Sequence, residues 1–213
     1  MSKVSLRELN KALSQSEIGV DADTIEFTPS FCVYHIHNWN HGYESWEGIE
    51  VDSDGNIIQG NAYSGTRRSF YSDFREMISF LIDYLEHNSV SEIIIAPCYR
   101  DNQFTRNARE NDIYKEIYGF LRSNGVRRGE RTGIKLPYSG NIDALEMVVE
   151  GAYRDVSELC IFIPEISVLI EPNHHFQFVF WTRQLNETRE TVKAILHEYN
   201  NLCFYDEHSN DQT

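Results

Sequence analysis

Residues 159–181 read LCIFIPEISVLIEPNHHFQFVFW, and this stretch decides the fold class. It holds three short apolar runs, Leu159 to Pro164, Ile166 to Glu171 and His175 to Trp181. Each break carries turn chemistry, first Pro164 with Glu165 and then Pro172 to His174. Three consecutive strands joined so tightly form an antiparallel meander.

Working upstream, residues 145–152 place Leu145, Val148, Val149 and Ala152 at helical spacing. Val126 to Ser139, with Arg127, Arg128, Arg131, Gly129 and Gly133, reads as a basic connection ending at Pro137. A helix from Asp112 carries Ile113, Ile117, Phe120 and Leu121 and stops at Asn124 and Gly125. Tyr99 to Asn111 is polar and arginine-rich, a loop or a loose helix, and Glu92 to Ala96 is a buried strand. Ser69 to His87 sets Phe70, Phe74, Met77, Ile78, Leu81, Ile82 and Leu85 on one broad face, the pattern of a helix lying on a core.

Nearer the start, Trp46 to Asp52 and Asn56 to Gln59 form a β-hairpin turned by Ser53, Asp54 and Gly55. Thr24 to Thr28 and Phe31 to Trp39 read as strands divided by Pro29, and Ser5 with Glu8 has capping-box form ahead of Leu6, Leu9 and Leu13. Downstream, Glu187 to Tyr199 is a last helix and Leu202 to Tyr205 an edge strand. Strands interspersed with four to five amphipathic helices, without regular strand–helix–strand units, predict a single α+β domain over 1–206. Residues 207–213 form a polar tail. The six residues Phe74, Leu81, Ile95, Ile161, Phe178 and Ile195 are expected in the core.

The net charge of −14 is unevenly distributed. Residues 1–60 hold three basic and ten acidic groups, 61–140 hold twelve and ten, and 141–213 hold four and thirteen. An acidic chain of this kind repels nucleic acid and attracts basic partners. The arginines of the middle third are interleaved with Asp101, Glu110, Asp112, Glu116 and Glu130, which cancel most of their field and argue against nucleic-acid binding. The apolar runs fall far short of a bilayer span, and Met1 to Leu13 has no apolar signal core, so a cytoplasmic location without a membrane partner is expected. Cys32, Cys98, Cys160 and Cys203 lie too far apart for a metal or redox motif and are expected as thiols.

Chemistry is hinted at by His35, His37 and His41, the first two sharing a strand face as metal ligands can. Two histidines one residue apart resemble the opening of the cupin and amidohydrolase metal motifs, but the glutamate a cupin needs comes late, at Glu44. His174 and His175, in a turn, complete such a site only if the fold brings them to His37. No Gly-x-Ser-x-Gly elbow, phosphate loop or dinucleotide fingerprint occurs, and nothing demands a cofactor.

The closing segment has two strands around Ile161 to Trp181, then a helix, then Tyr199-Asn200-Asn201 leading to Phe204-Tyr205-Asp206. In that pattern it resembles the end of small bacterial immunity proteins that protect a cell from polymorphic toxins. The resemblance covers the last quarter of the chain and transfers no binding residue. It implies tight binding of a cognate toxin, often a basic nuclease, by an acidic surface. The residues expected to meet such a partner are Glu44, Glu47, Glu50, Asp52 and Asp54 of the hairpin, with Tyr43 and Trp46 as aromatic anchors. Binding by occlusion ranks above enzyme action. The alternatives are a metal-dependent enzyme using His35, His37 and His41, and a mimic of nucleic acid.

Overall fold

The computed structural model describes residues 1–36, 49–51, 57–59, 67–97, 103–105 and 108–206. The expected meander is there: β7 (Cys160–Ile163), β8 (Val168–Asn173) and β9 (Gln177–Trp181) pair antiparallel, with Ile161 opposite Ile170 and Ile170 opposite Phe180. The single turn of 3-10 helix Pro164–Ile166 makes the first connection. The second falls later than the sequence suggests, because Pro172 stays in β8 opposite Phe178. Proline has no N–H to donate, and the β7 ladder has already ended at Ile170, so none is missed on that side.

Around this meander the chain builds one eight-stranded antiparallel sheet. The remaining strands are β1 (Ser2–Val4), β2 (Ser30–His35), β5 (Glu92–Ala96), β6 (Gly133–Pro137) and β10 (Leu202–Tyr205). The order across the sheet is β1-β6-β5-β7-β8-β9-β2-β10. Strands β3 (Ile49–Val51) and β4 (Ile57–Gln59) pair with each other in a separate two-stranded sheet.

Alternation along the strands sorts side chains onto two faces. Phe31, Val33, Ile93, Ile95, Ile161, Ile170, Phe178 and Phe180 enter the larger core. That core is roofed by α3 (Arg67–His87), α4 (Ile113–Ser123), α5 (Ile142–Tyr153) and α6 (Leu185–Leu196). On the other face Ile94, Ala96, Cys160, Phe162 and Leu169 meet Leu9 and Leu13 of α1 (Leu6–Gln15) and Ile25 of α2 (Ala22–Ile25). Strands buried on both sides read as unbroken apolar runs, which is why β5 and β7 stand out in the sequence. The six residues expected in the core are all buried, from 0% exposure at Leu81 to 8% at Ile195.

Five of the six described α-helices fall where periodicity places them, and α1 has the expected capping box of Ser5 and Glu8. The sixth, α2, corrects the strand expected at Thr24 to Thr28. The Asp21 carboxylate accepts from Thr24 N–H at 3.0 Å and from the Thr24 hydroxyl at 2.7 Å, and this local cap favours a helical turn over an extended chain. A second correction concerns residues 126–139. Instead of a connection throughout, they contain β6, which pairs with β5 on one side and β1 on the other. Gly133 suits the first position of β6, since a Cβ there would meet Ile94 Cγ2 at 2.7 Å.

No disulfide joins the described cysteines Cys32, Cys160 and Cys203. Cys98 and residues 207–213 lie outside the described residues. Among the described residues no helix is long and apolar enough to cross a membrane.

Candidate functional site

Three places hold the residues that sequence reasoning singled out. The first is the hairpin, whose strands β3 and β4 form at the expected positions with Glu50 opposite Ile58. Its other proposed contact residues, Tyr43, Glu44, Trp46, Glu47, Asp52 and Asp54, lie outside the described residues, as do His37 and His41.

The second is His35. It ends β2, opposite Leu202 of β10, and its ring continues the buried row of Phe31 and Val33. Helix α3 passes over this row and presents Asp73 and Glu76, three residues apart and so on one face. His35 Nε2 lies 3.2 Å from Glu76 Oε2 and 3.6 Å from Asp73 Oδ1, and its side chain has no exposed surface. Asn201 Nδ2 donates to the same Glu76 oxygen at 3.0 Å. Two turns beyond Glu76 along α3, Asp83 accepts a hydrogen bond of 2.5 Å from the Tyr199 hydroxyl. Burial, with the Asp83 hydrogen bond and charge, raises the Tyr199 phenol above its ordinary range.

These contacts bind α3 to β2 and to the segment entering β10. A histidine held by acids in an interior satisfies buried polarity. Sequence reasoning missed Asp73, although a signal for it exists: it stands three residues after Phe70 and four before Met77, inside the apolar stripe of α3.

The third place is a cleft of ≈ 190 Å³ where the end of α5 and the start of β7 face the β8–β9 turn. Its walls include Asp155, Ser157, Glu158, Glu171, His174 and His175. The turn is held by the Asn173 side chain, whose Oδ1 accepts from His175 N–H at 3.0 Å, and by Phe176 N–H donating to Asn173 O at 3.1 Å. Phe176 adopts φ 54°, a left-handed conformation rare for a bulky residue, while its ring is fully buried against Tyr153. Burial of the aromatic side chain offsets that backbone strain.

Burial, and then the neighbouring His174 ring, push His175 down to about 4, so its imidazole is neutral near pH 7. Glu171 is buried and accepts from Trp181 Nε1 at 3.3 Å. Ser157 is 5% exposed and its hydroxyl has no hydrogen-bond partner.

The turn also meets the end of β2, where His35 N–H donates to Phe176 O at 3.1 Å. The His35 ring, however, turns into the core toward α3. Among the described residues no group of three or more histidine, cysteine, aspartate or glutamate side chains is arranged to hold a metal. Sequence reasoning found His174 and His175 in a turn but missed their acidic neighbours. Asp155 and Glu158 are drawn in only by the packing of β7 on β8.

No protein-family model, curated protein or solved structure matches this chain.

Proposed function

We propose that the chain is a protein-binding protein of the immunity or antitoxin kind, which neutralises a basic toxin partner by covering it. The observation that carries this reading is the β3–β4 hairpin, a two-stranded sheet of its own whose segment 44–54 contains five acidic residues. The acids steer a cationic surface toward it, and Tyr43, just before that segment, and Trp46, within it, serve as anchors for the docked state. A net charge of −14 extends that steering over the whole molecule.

The test identifies the gene immediately upstream and, where it encodes a large toxin with a variable C-terminal domain, co-expresses that domain with this chain and measures association kinetics of the purified pair. Cell growth should be protected, and the association rate should fall as salt rises, because screening at 0.15 M shortens electrostatic reach to about 8 Å. Changing Glu47, Glu50 and Asp52 together to lysine should slow association by about tenfold or more while thermal stability stays nearly unchanged. A partner that proves acidic, or a rate indifferent to salt and to the reversal, refutes the reading.

A further inference from the structure

Along the sequence, the arginines of the middle third are balanced by interleaved acids. The fold undoes part of that balance. Asp112 pairs with Arg154 at 2.7 Å and Glu130 with Lys3 at 2.8 Å. Glu116 stands two residues from both Tyr114 and Tyr118 on α4, and residues at that spacing do not share a helix face. Lys115, Arg122, Arg127 and Arg128 are exposed, and among the described residues no carboxylate forms an ion pair with any of them.

Two tyrosines lie beside these cations. Tyr114, Tyr118 and Arg122 recur every four residues and so form one row along α4, about 12 Å long. The rings of Tyr114 and Tyr118 are parallel within 5°, with centroids 5.9 Å apart, and both are partly exposed. Phe104 backs Tyr114 at 4.8 Å. In the neighbouring row Gly119 separates Lys115 from Arg122, and a Cβ there would meet nothing within 4 Å, so the face is open between the two cations.

The turn that follows α4 is fixed in place. Gly125 ends the helix with φ 79°, and Gly129 adopts φ 80° within the turn. The buried Gln103 side chain donates to Arg127 O at 3.0 Å and Glu130 O at 2.8 Å, and accepts from Gly129 N–H at 3.1 Å. Arg127 and Arg128 therefore extend from a backbone held at three points. Residues 103 and 104 tie this turn and the tyrosine row to one support.

We propose that this strip docks a short single strand of nucleic acid, its phosphates on the four cations and its bases on the two tyrosine rings. Arginine forks match phosphate oxygens, and stacking on an aromatic ring is indifferent to base identity. An acidic polypeptide would meet the same cations but gives the tyrosine row no task. The net charge of −14 opposes any polyanion, so the contact is local, weak and steeply dependent on salt. The inference is independent of the partner reading above, since the strip shares no residue with the acidic hairpin.

The experiment follows the fluorescence anisotropy of a labelled oligothymidylate twelvemer titrated with the full chain. A dissociation constant on the order of 10 μM is expected at about 20 mM salt. The logarithm of the association constant should fall against that of salt with a slope of about −3, from four phosphate contacts at about 0.7 each. Changing Arg127 and Arg128 together to glutamine should weaken binding at least about tenfold and reduce the slope by about 1.4. Tyr118→Leu should weaken it about fivefold or more with the slope unchanged, while Glu116→Gln, on the other flank, should not weaken it. No binding up to about 500 μM chain at that low salt, a slope near zero, or full binding by the arginine variant overturns the proposal. Equally tight binding of a labelled polyglutamate of the same length, with Tyr118→Leu indifferent to both probes, assigns the strip to an acidic polypeptide and also overturns it.

Discussion

Replacing Gly151 by alanine sets two physical effects against each other. Gly151 lies in the last turn of α5, and a helical glycine costs roughly 1 kcal/mol relative to alanine, so helix propensity alone predicts a gain. Packing predicts a loss. A Cβ at this position would lie 2.4 Å from Ile117 Cδ1 and 2.8 Å from Ser157 Oγ. Ile117 is fully buried, so its methyl group cannot swing into solvent. Overpacking a filled core costs about 1–3 kcal/mol, and subtracting the propensity gain leaves a net loss of about 0–2 kcal/mol.

Trimming Ile117 to valine removes the nearer clashing atom and by itself costs about 1 kcal/mol. In that background Gly151→Ala should lose much of its penalty, giving a favourable coupling of about 1 kcal/mol. Urea unfolding of the four proteins, with slopes compared as well as midpoints, measures it. If Gly151→Ala stabilises the protein by about 1 kcal/mol and the pair is additive within about 0.5 kcal/mol, α4 and α5 do not approach as closely as described.

Leu81→Ala should cost about 2–5 kcal/mol in chemical denaturation, since the side chain is fully buried, and a midpoint equal to wild type would mean that the α3 face does not rest on the core. His35→Ala removes the ring that both Asp73 and Glu76 approach and should lose about 1–3 kcal/mol, the cost of leaving a buried polar group without its partner. Unchanged stability there would show that the ring contributes no pairing. For His175, the folded value of about 4 lies below the ordinary 6.5, so the unfolded chain binds more protons between these limits and stability falls as pH drops from 6.5 toward 4. The ring is only half-buried, so solvent screening reduces the effect to about 1–2 kcal/mol, seen as a flatter stability profile for His175→Gln than for wild type over that window.

The elements legible in the sequence are those whose own residues hold enough apolar pattern to need no neighbour. Helix α3 and the β7–β8–β9 meander are of this kind, and so is the Ser5–Glu8 cap. Strand β6 is the opposite case. Only Ile134 and Leu136 mark it among arginines and glycines, and its extended shape comes from ladders to β5 and β1, segments about 40 and 130 residues away in sequence. At α2 a side-chain cap spanning three residues outweighs the β-branched residues Thr24, Ile25 and Thr28 that suggest a strand. His35 was readable as part of a polar cluster, but its partners come from α3 and from the approach to β10. The cleft was not readable at all, since nothing in residues 155–158 signals that they will face residues 171–175.

The place of β2 in the sheet has a kinetic consequence. A strand from residues 30–35 lies between β9 and β10, so its two ladders close loops of roughly 140 and 170 residues. During synthesis β2 emerges early and waits unpaired until most of the chain has followed, exposing its Phe31 and Val33 row meanwhile. Pairings this distant in sequence favour slow folding, because the closure entropy must be met before any contact rewards it. The contacts among His35, Glu76 and Asn201 then form only when the segment before β10 arrives, which makes them a late step that fastens an already collapsed sheet. Destabilising them should speed unfolding far more than it slows refolding.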